Sequence, residues 1–323
     1  MAISSSIHAQ ALSSLPGTMH GAAIEPGGDI TSLSLHTVPV PKPKPGEVLI
    51  AVQSAGVGVW EARYLPKVTA PTVLGSDGAG TVAALGDGVH DFKVGEAVYG
   101  VGGAFYAEYA SVPSNQVAKV PHGVTLLEAS VLGISGLSAL QGIDDVLRMK
   151  ANETLIIHGA AGSVGSLAVQ FAKWRKVRVL ATVTDETGAQ FVRRMGADVV
   201  INGKTQDIVS EAHKFAPNGV DAVLGLAGGD ALERCIDALR TDGYGRVAYL
   251  YGMEPLPTPR LRIQMTLFSY ISDRRELARL NEAVEAAKVQ VPVAAQFALA
   301  DAAQAQARLA RGHLQGKIAI LIR

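Results

Sequence analysis

The residues between Leu155 and Gly165 have the types and spacing in this chain that most directly imply chemistry. An apolar β-type run, Leu155-Ile156-Ile157-His158, ends in the turn Gly159-Ala160-Ala161-Gly162-Ser163-Val164-Gly165. A helical pattern continues from Ser166 to Lys173. Ala160, Gly162 and Gly165 fill the three small-residue slots of a dinucleotide fingerprint. Small residues there let the backbone approach a pyrophosphate, and the helix opening at the turn aims unpaired N–H groups at the anion. Ala160, Ala161, Gly162, Ser163, Val164 and Gly165 are therefore expected to hold a dinucleotide phosphate.

That turn needs a strand before it, a helix after it and a sheet around it. Arg178–Val183 reads as a second strand, and Val199–Ile201, Ala222–Leu224 and Val247–Leu250 read as further short buried ones. Helical segments lie between them, at Gly188–Met195, Asp207–Lys214 and Asp230–Leu239, and Leu261–Tyr270 supplies a sixth strand. Strands alternating with helices imply a parallel sheet joined by right-handed crossovers, a Rossmann domain. Such sheets bind ligands outside the carboxyl ends of their strands. This places Ala227, Gly228 and Gly252 beside the cofactor and brings Tyr251 to the pocket, unless Tyr251 is a surface aromatic in a loop.

The first third differs in texture. Pro39-Val40-Pro41-Lys42-Pro43-Lys44-Pro45-Gly46 cannot be helical, Glu47–Ala55 alternates like a strand, and glycines 75, 78, 80, 86, 88 and 95 punctuate further short strands. This reads as a compact β unit, with a helical stretch at Leu126–Ala139 leading into the Rossmann part. A length of 323 residues suits two cores. Net charge is zero, which gives nucleic acid or a membrane surface no electrostatic attraction. The single cysteine, Cys235, excludes an internal disulfide and any multi-cysteine metal site. No apolar run is expected to reach the length needed to span a bilayer, and the N-terminus lacks the basic start and continuous apolar core of a secretory signal. Residues 1–18 read as a loose extension, and a cytoplasmic location is the expectation.

Several motifs together resemble the medium-chain dehydrogenase/reductase superfamily, in its quinone oxidoreductase-like branch. They are Val73-Leu74-Gly75-Ser76-Asp77-Gly78-Ala79-Gly80-Thr81-Val82, Gly95-Glu96-Ala97-Val98-Tyr99-Gly100, Val120-Pro121, Gly136-Leu137-Ser138-Ala139-Leu140 and the nucleotide turn. Met195-Gly196-Ala197-Asp198 and Gly312-His313-Leu314-Gln315-Gly316-Lys317-Ile318 also match, so the resemblance runs from about Met19 to Arg323. It implies an α/β fold in which a GroES-like β domain (19–135 and 271–323) flanks a Rossmann doubly wound parallel sheet (136–270). Nicotinamide and substrate would meet in the cleft between them.

The departures are informative too. Zinc-dependent relatives place a cysteine within the segment that is Gly56–Glu61 here, and Gly-His-Glu where this chain has Gly75-Ser76-Asp77. Catalytic zinc needs three protein ligands, so the resemblance implies a zinc-free protein; the eight histidines are scattered. Without a Lewis acid, an alcohol is a poor hydride donor, whereas a quinone or α,β-unsaturated carbonyl accepts hydride with delocalisation of charge. The protein then mainly orients the partners and excludes water. The expected activity is NADPH-dependent reduction of a small electrophilic acceptor. Thr184 sits where relatives carry a hydroxyl near the 2′-phosphate, while Asp185 leaves NADH possible, since an acidic residue at the end of the second strand bonds the ribose 2′-hydroxyl.

By the same resemblance Trp60 and Ser138 line the substrate pocket, with stacking on an acceptor ring or simple packing open for Trp60, and helix capping open for Ser138. Tyr64 is the candidate proton donor, although Arg63 takes the tyrosine position of many relatives. Glu61 occupies an acidic position that orients its loop, and Gly58 replaces an asparagine. Lys317, in the returning C-terminal segment, is a candidate cofactor contact. Relatives pair the open edge of the Rossmann sheet across a two-fold axis, which implies a homodimer. Two alternatives stay open: an NADPH-binding sensor or structural protein with little turnover, and a zinc-type alcohol dehydrogenase, which the ligand slots disfavour.

Overall fold

The computed structural model describes residues 15–63 and 71–323. The chain begins with strands β1 (Thr18–Ile24), β2 (Ser34–Pro39) and β3 (Glu47–Val57), then the short helix α1 (Trp60–Arg63). Strands β4 (Thr72–Val73), β5 (Asp77–Leu85), β6 (Ala97–Val101), β7 (Tyr109–Pro113) and β8 (Val117–Lys119) follow. Thr18 pairs with Pro39 in an antiparallel ladder, so the structured unit starts one residue earlier than the extension expected over 1–18. Residues 1–14 of that extension lie outside the described residues.

Helix α2 (Leu126–Gln141) runs on into a single π-helical turn at Gly142–Val146. It starts with a capping box: Glu128 N donates to Thr125 Oγ1 at 3.2 Å, and Thr125 N donates to Glu128 Oε2 at 2.8 Å. The expectation that no apolar run is long enough to span a bilayer is corrected here. Leu126–Val146 is a 21-residue helix that passes that test by length and composition, but 83% of its apolar window is buried inside the fold. A helix apolar on all sides belongs in the centre of a large core, and this one packs against β3, β5 and β6 on one side. Its glycines permit that closeness: a Cβ on Gly133 would sit 2.7 Å from Val101 Cγ1.

The parallel half follows as β9 (Thr154–His158), α3 (Ser163–Trp174), β10 (Arg178–Val183), α4 (Glu186–Arg194), β11 (Val199–Asn202) and α5 (Ile208–Phe215). Then come β12 (Ala222–Gly225), α6 (Asp230–Asp237), β13 (Arg246–Leu250) and β14 (Gln264–Phe268). The expected sixth strand is present, shorter than its apolar segment and parallel to β13. The order is β11-β10-β9-β12-β13-β14, all parallel. Fully buried side chains such as Ile156, Ile157, Val223 and Leu224 fill both faces, as a sheet covered on both sides demands. The order reverses at β9, so a crevice opens between the carboxyl ends of β9 and β12.

The chain ends with α7 (Arg274–Ala287), β15 (Val293–Ala298), α8 (Ala302–Ala310) and β16 (Lys317–Leu321). Strand β16 pairs antiparallel with β3, which puts the C-terminus in the sheet β15-β16-β3-β5-β6-β8, with β7 also on β3. A C-terminal strand thus returns to an N-terminal sheet. The segment just before it, Gly312–Gly316, passes the nucleotide turn: Gly316 N donates to Ala161 O at 2.9 Å.

Candidate functional site

The crevice at the reversal of strand order holds a cavity of about 170 Å³. One wall is the turn after β9, with Gly159 and Gly162–Gly165; Leu226 and Leu250, which follow or end β12 and β13, close the side. The opposing wall is Val57–Trp60, with Ser135, Leu309 and Lys317. Gly162 is the N-cap of α3 and supplies no side-chain cap. The first N–H groups of that helix are therefore left for an anionic ligand. Two glycines in the turn do different jobs. A Cβ on Gly165 would lie 2.4 Å from Gly159 O and 2.7 Å from Ala160 Cα, so glycine there lets the helix sit against the strand. At Gly162 a Cβ would meet only Gly159 O, at 3.5 Å, which leaves the approach to its backbone open to a ligand. The residues present fit a dinucleotide phosphate.

Behind the opposing wall lies a buried charged group. Lys317 Nζ donates to both oxygens of Asp77, at 2.7 and 2.6 Å, and the two side chains are only 5% and 2% exposed. Gly56 makes room for this pair, since a Cβ there would be 2.6 Å from Asp77 Oδ1 and 2.8 Å from Lys317 Nζ. Glu61 is buried close by and accepts from Gly58 N at 3.1 Å and Ser76 N at 3.0 Å. Burial outweighs those hydrogen bonds and holds its carboxyl above the ordinary carboxylate range. Trp60 folds back over Gly58: a Cβ on Gly58 would lie 2.6 Å from both Cδ1 and Nε1 of the indole. The absent side chain at 58 is what admits the ring to the cleft wall.

At the far end of β10, Asp185 caps α4 by accepting from Gly188 N at 2.7 Å. Its other oxygen lies 3.2 Å from His313 Nδ1, and the same nitrogen is 3.0 Å from Thr184 Oγ1. The expected acidic and hydroxyl residues are thus side by side, joined by a histidine that sequence reasoning did not single out.

The other expected positions divide. Trp60 lines the cavity. Tyr64 lies outside the described residues. Ser138 neither lines the cavity nor caps a helix: it is inside α2, fully buried, and its Oγ has no hydrogen-bond partner. Ser135, nearly one turn earlier, is the α2 serine in the wall. Tyr251 is a surface aromatic, 55% exposed, and does not line this cavity, which the preceding Leu250 lines instead. Gly228 is small for a different reason than expected, since a Cβ there would be 2.3 Å from Pro255 O. Ala227 lies beside the nucleotide turn, its Cβ 3.8 Å from where one on Gly159 would be, and Gly252 takes a left-handed turn with φ 82°. Lys317 borders the cavity, but its ammonium is spent on Asp77 and is no free cation for a cofactor. Tyr270 was missed altogether. Burial, with help from Asp77 and Glu61, pushes its hydroxyl up to about 12, which places it within electrostatic reach of both carboxylates.

Two family models match the chain: the alcohol dehydrogenase GroES-like domain over residues 44–122, and zinc-binding dehydrogenase over residues 195–320. Among curated proteins, a probable quinone oxidoreductase of Schizosaccharomyces pombe is 29% identical over 312 residues, covering 91% of this chain and 94% of the relative. The human quinone oxidoreductase is 28% identical over 303 residues, covering 88% and 92%. A mycobacterial protein solved in complex with NADPH superposes with a TM-score of 0.83 at 27% identity, covering 94% of this chain and all of the other. The chain belongs to the medium-chain dehydrogenase/reductase superfamily. As in that superfamily, a GroES-like β part and a parallel Rossmann sheet face each other across the cleft.

The zinc named in one family description can be tested on the donor set of this superfamily member. Gly58 lines the wall without a side chain, Ser76 stands where zinc-dependent relatives carry histidine, and Asp77 is held by Lys317. Among the described residues no group of three or more His, Cys, Asp and Glu side chains is placed to share a metal ion. The residues present do not fit a catalytic zinc.

Proposed function

We propose that this chain is a zinc-independent, NADPH-dependent oxidoreductase that reduces a quinone or an α,β-unsaturated carbonyl. The observation that carries the reading is the cleft itself. Its Rossmann wall offers an uncapped helix N-terminus at the strand-order reversal, while its opposing wall offers an indole and glycine backbone and no donor set for a Lewis acid. A bound reduced nicotinamide supplies the hydride. The chain's own residues bind and position the reactants: the first turn of α3 takes the diphosphate, and Leu226, Leu250, Leu309 and Val59 keep water from the reacting face. Trp60 offers a flat apolar surface, with its Nε1–H unpartnered among the described residues, to an acceptor ring or its carbonyl. An acceptor that is already electrophilic needs no metal to polarise it.

The proton that completes the reduction comes from solvent or from a side-chain hydroxyl. Tyr270 is one side-chain candidate, because it has no hydrogen-bond partner among the described residues and feels the Asp77 and Glu61 carboxylates, although burial pushes its hydroxyl up to about 12 and so makes it a weak donor beside solvent. The test is consumption of NADPH by chelator-treated protein with a simple quinone and a simple enone. Turnover unaffected by chelator, and unimproved by added zinc, is expected. Activity appearing only when zinc is restored, with an alcohol as hydride donor, would reverse the assignment. Saturable NADPH binding with no turnover of either acceptor would favour a sensor.

We further propose that the chain pairs with a second copy through β14. That strand has β13 on one side only, and Leu267 on it is 43% exposed, which leaves an open ladder edge that a two-fold partner would cover. Sedimentation of the purified protein should give a dimer, and Leu267→Lys should shift it towards monomer; a wild-type monomer at micromolar concentration would remove the idea.

A further inference from the structure

We propose that His313, supplied by the catalytic half of the chain, is a coenzyme-specificity residue that binds the 2′-phosphate of NADPH. This inference rests on the reading that a dinucleotide occupies the turn after β9.

Asp185 by its position would select NADH, because a free carboxylate at the end of the second Rossmann strand accepts from the ribose 2′-hydroxyl. It is not free here. Oδ1 accepts from Gly188 N at 2.7 Å as the N-cap of α4, and Oδ2 faces His313 Nδ1 at 3.2 Å and Thr184 Oγ1 at 3.4 Å. Both oxygens are committed, so the carboxylate orients a histidine in place of reading a diol. With Nδ1 turned to Asp185, Nε2 is the ring nitrogen left to meet an anion, and it does so as a donor when it carries its proton. Nε2 has no hydrogen-bond partner among the described residues, and the His313 side chain is 54% exposed.

The segment that carries His313 is held where a dinucleotide would run. Gly312 and His313 both take left-handed backbone, with φ 66° and 52°, which turns the chain towards β10. Arg308 NH1 fastens that turn by donating to Gly312 O at 2.8 Å. Three residues on, Gly316 N donates to Ala161 O at 2.9 Å, and Gly162 and Gly316 form a parallel bridge. The span from Gly312 to Gly316 therefore touches the phosphate turn at one end and the end of β10 at the other. A coenzyme lying between those two landmarks passes along it, and its ribose 2′ position comes to Thr184 and His313. Thr184 adds a hydroxyl to the same anion. On the helix beyond, the cations are directed elsewhere: Arg193 NH1 pairs with Glu186 at 3.1 Å, and Arg194 lies over the Phe191 ring.

Titration calorimetry on the full chain with four ligands tests this: NADPH, NADH, adenosine 2′,5′-bisphosphate and AMP. The last two differ only in the 2′-phosphate. The wild type is expected to prefer the bisphosphate, and both His313→Ala and His313→Gln should weaken the bisphosphate and NADPH about tenfold, the usual size of one charge-assisted hydrogen bond at a partly exposed site. AMP and NADH should change less than about twofold, or bind better as Asp185 is released. His313→Arg should restore the preference. An unchanged ratio of bisphosphate to AMP in His313→Ala, with both ligands still binding, overturns the role of His313 alone. Failure of the wild type to bind any of the four overturns the dinucleotide reading and this inference together.

Discussion

Replacing Lys317 by methionine distinguishes a buried structural cation from a cofactor contact. The lysine and Asp77 are 5% and 2% exposed, and the ammonium reaches both carboxylate oxygens within 2.7 Å. Removing it leaves Asp77 buried with a single long hydrogen bond, from Ile134 N at 3.4 Å, and with the Glu61 carboxyl nearby. Orphaning one member of a buried pair costs about 3–5 kcal/mol. For a chain of this size that lowers Tm on the order of 10 °C. Calorimetry and urea midpoints on Lys317→Met, Asp77→Asn and the double variant would measure it. The double variant should recover at least half the loss, because neutral asparagine does not need a cation. If Lys317→Met were within about 1 kcal/mol of wild type, as an exposed pair would be, the buried-pair account would be refuted. If instead stability held and only NADPH affinity fell, the lysine would be a cofactor contact after all.

Burial pushes the His158 imidazole down to about 4 from its ordinary 6.5, so the folded state binds fewer protons than the unfolded one between those values. Stability should therefore fall by at most about 3 kcal/mol as pH drops from 6.5 to 4, and His158→Asn, followed by urea unfolding across that range, should flatten the decline. Gly58→Ala puts a methyl 2.6 Å from the Trp60 indole. The ring must move, so a shift in tryptophan fluorescence and a fall in kcat/KM on the order of tenfold are expected, against little change in Tm; an unaltered emission spectrum would show that the ring does not rest there. Tyr270→Phe should lower kcat about tenfold or more while leaving NADPH affinity alone, if the phenol provides the proton. An unchanged solvent isotope effect and kcat would leave solvent as the donor.

The parallel half of the fold was legible because each of its elements is written locally. Alternating apolar runs and helical stretches are short-range patterns, and the glycine turn between Leu155 and Gly165 carries its own strand and helix with it. The site was legible only where one segment makes it, as with Gly162–Gly165 and Trp60. It was obscure where segments far apart in the chain meet. Lys317 looks like a cation for a phosphate until Asp77, 240 residues earlier, is placed against it. His313 has no signal of its own, because its role depends on Thr184 and Asp185 across 129 and 128 residues. Gly228 and Tyr251 were misplaced for a related reason: strand ends mark the ligand side of the sheet, but which side chain of a turn faces the crevice depends on φ values and on neighbours such as Pro255. The length of α2 was underestimated because isolated polar residues interrupt its apolar run without interrupting the helix.

The most direct test of metal-free reduction across this cleft is deuterium transfer. Chelator-treated protein, assayed for residual zinc, would be given NADPH carrying deuterium at nicotinamide C4 and a simple enone, and the product analysed by mass spectrometry and NMR. The account predicts one deuterium at the β-carbon, from one face of the nicotinamide, with zinc far below one equivalent per chain. A product without deuterium, or label transfer only in zinc-loaded protein, would contradict it.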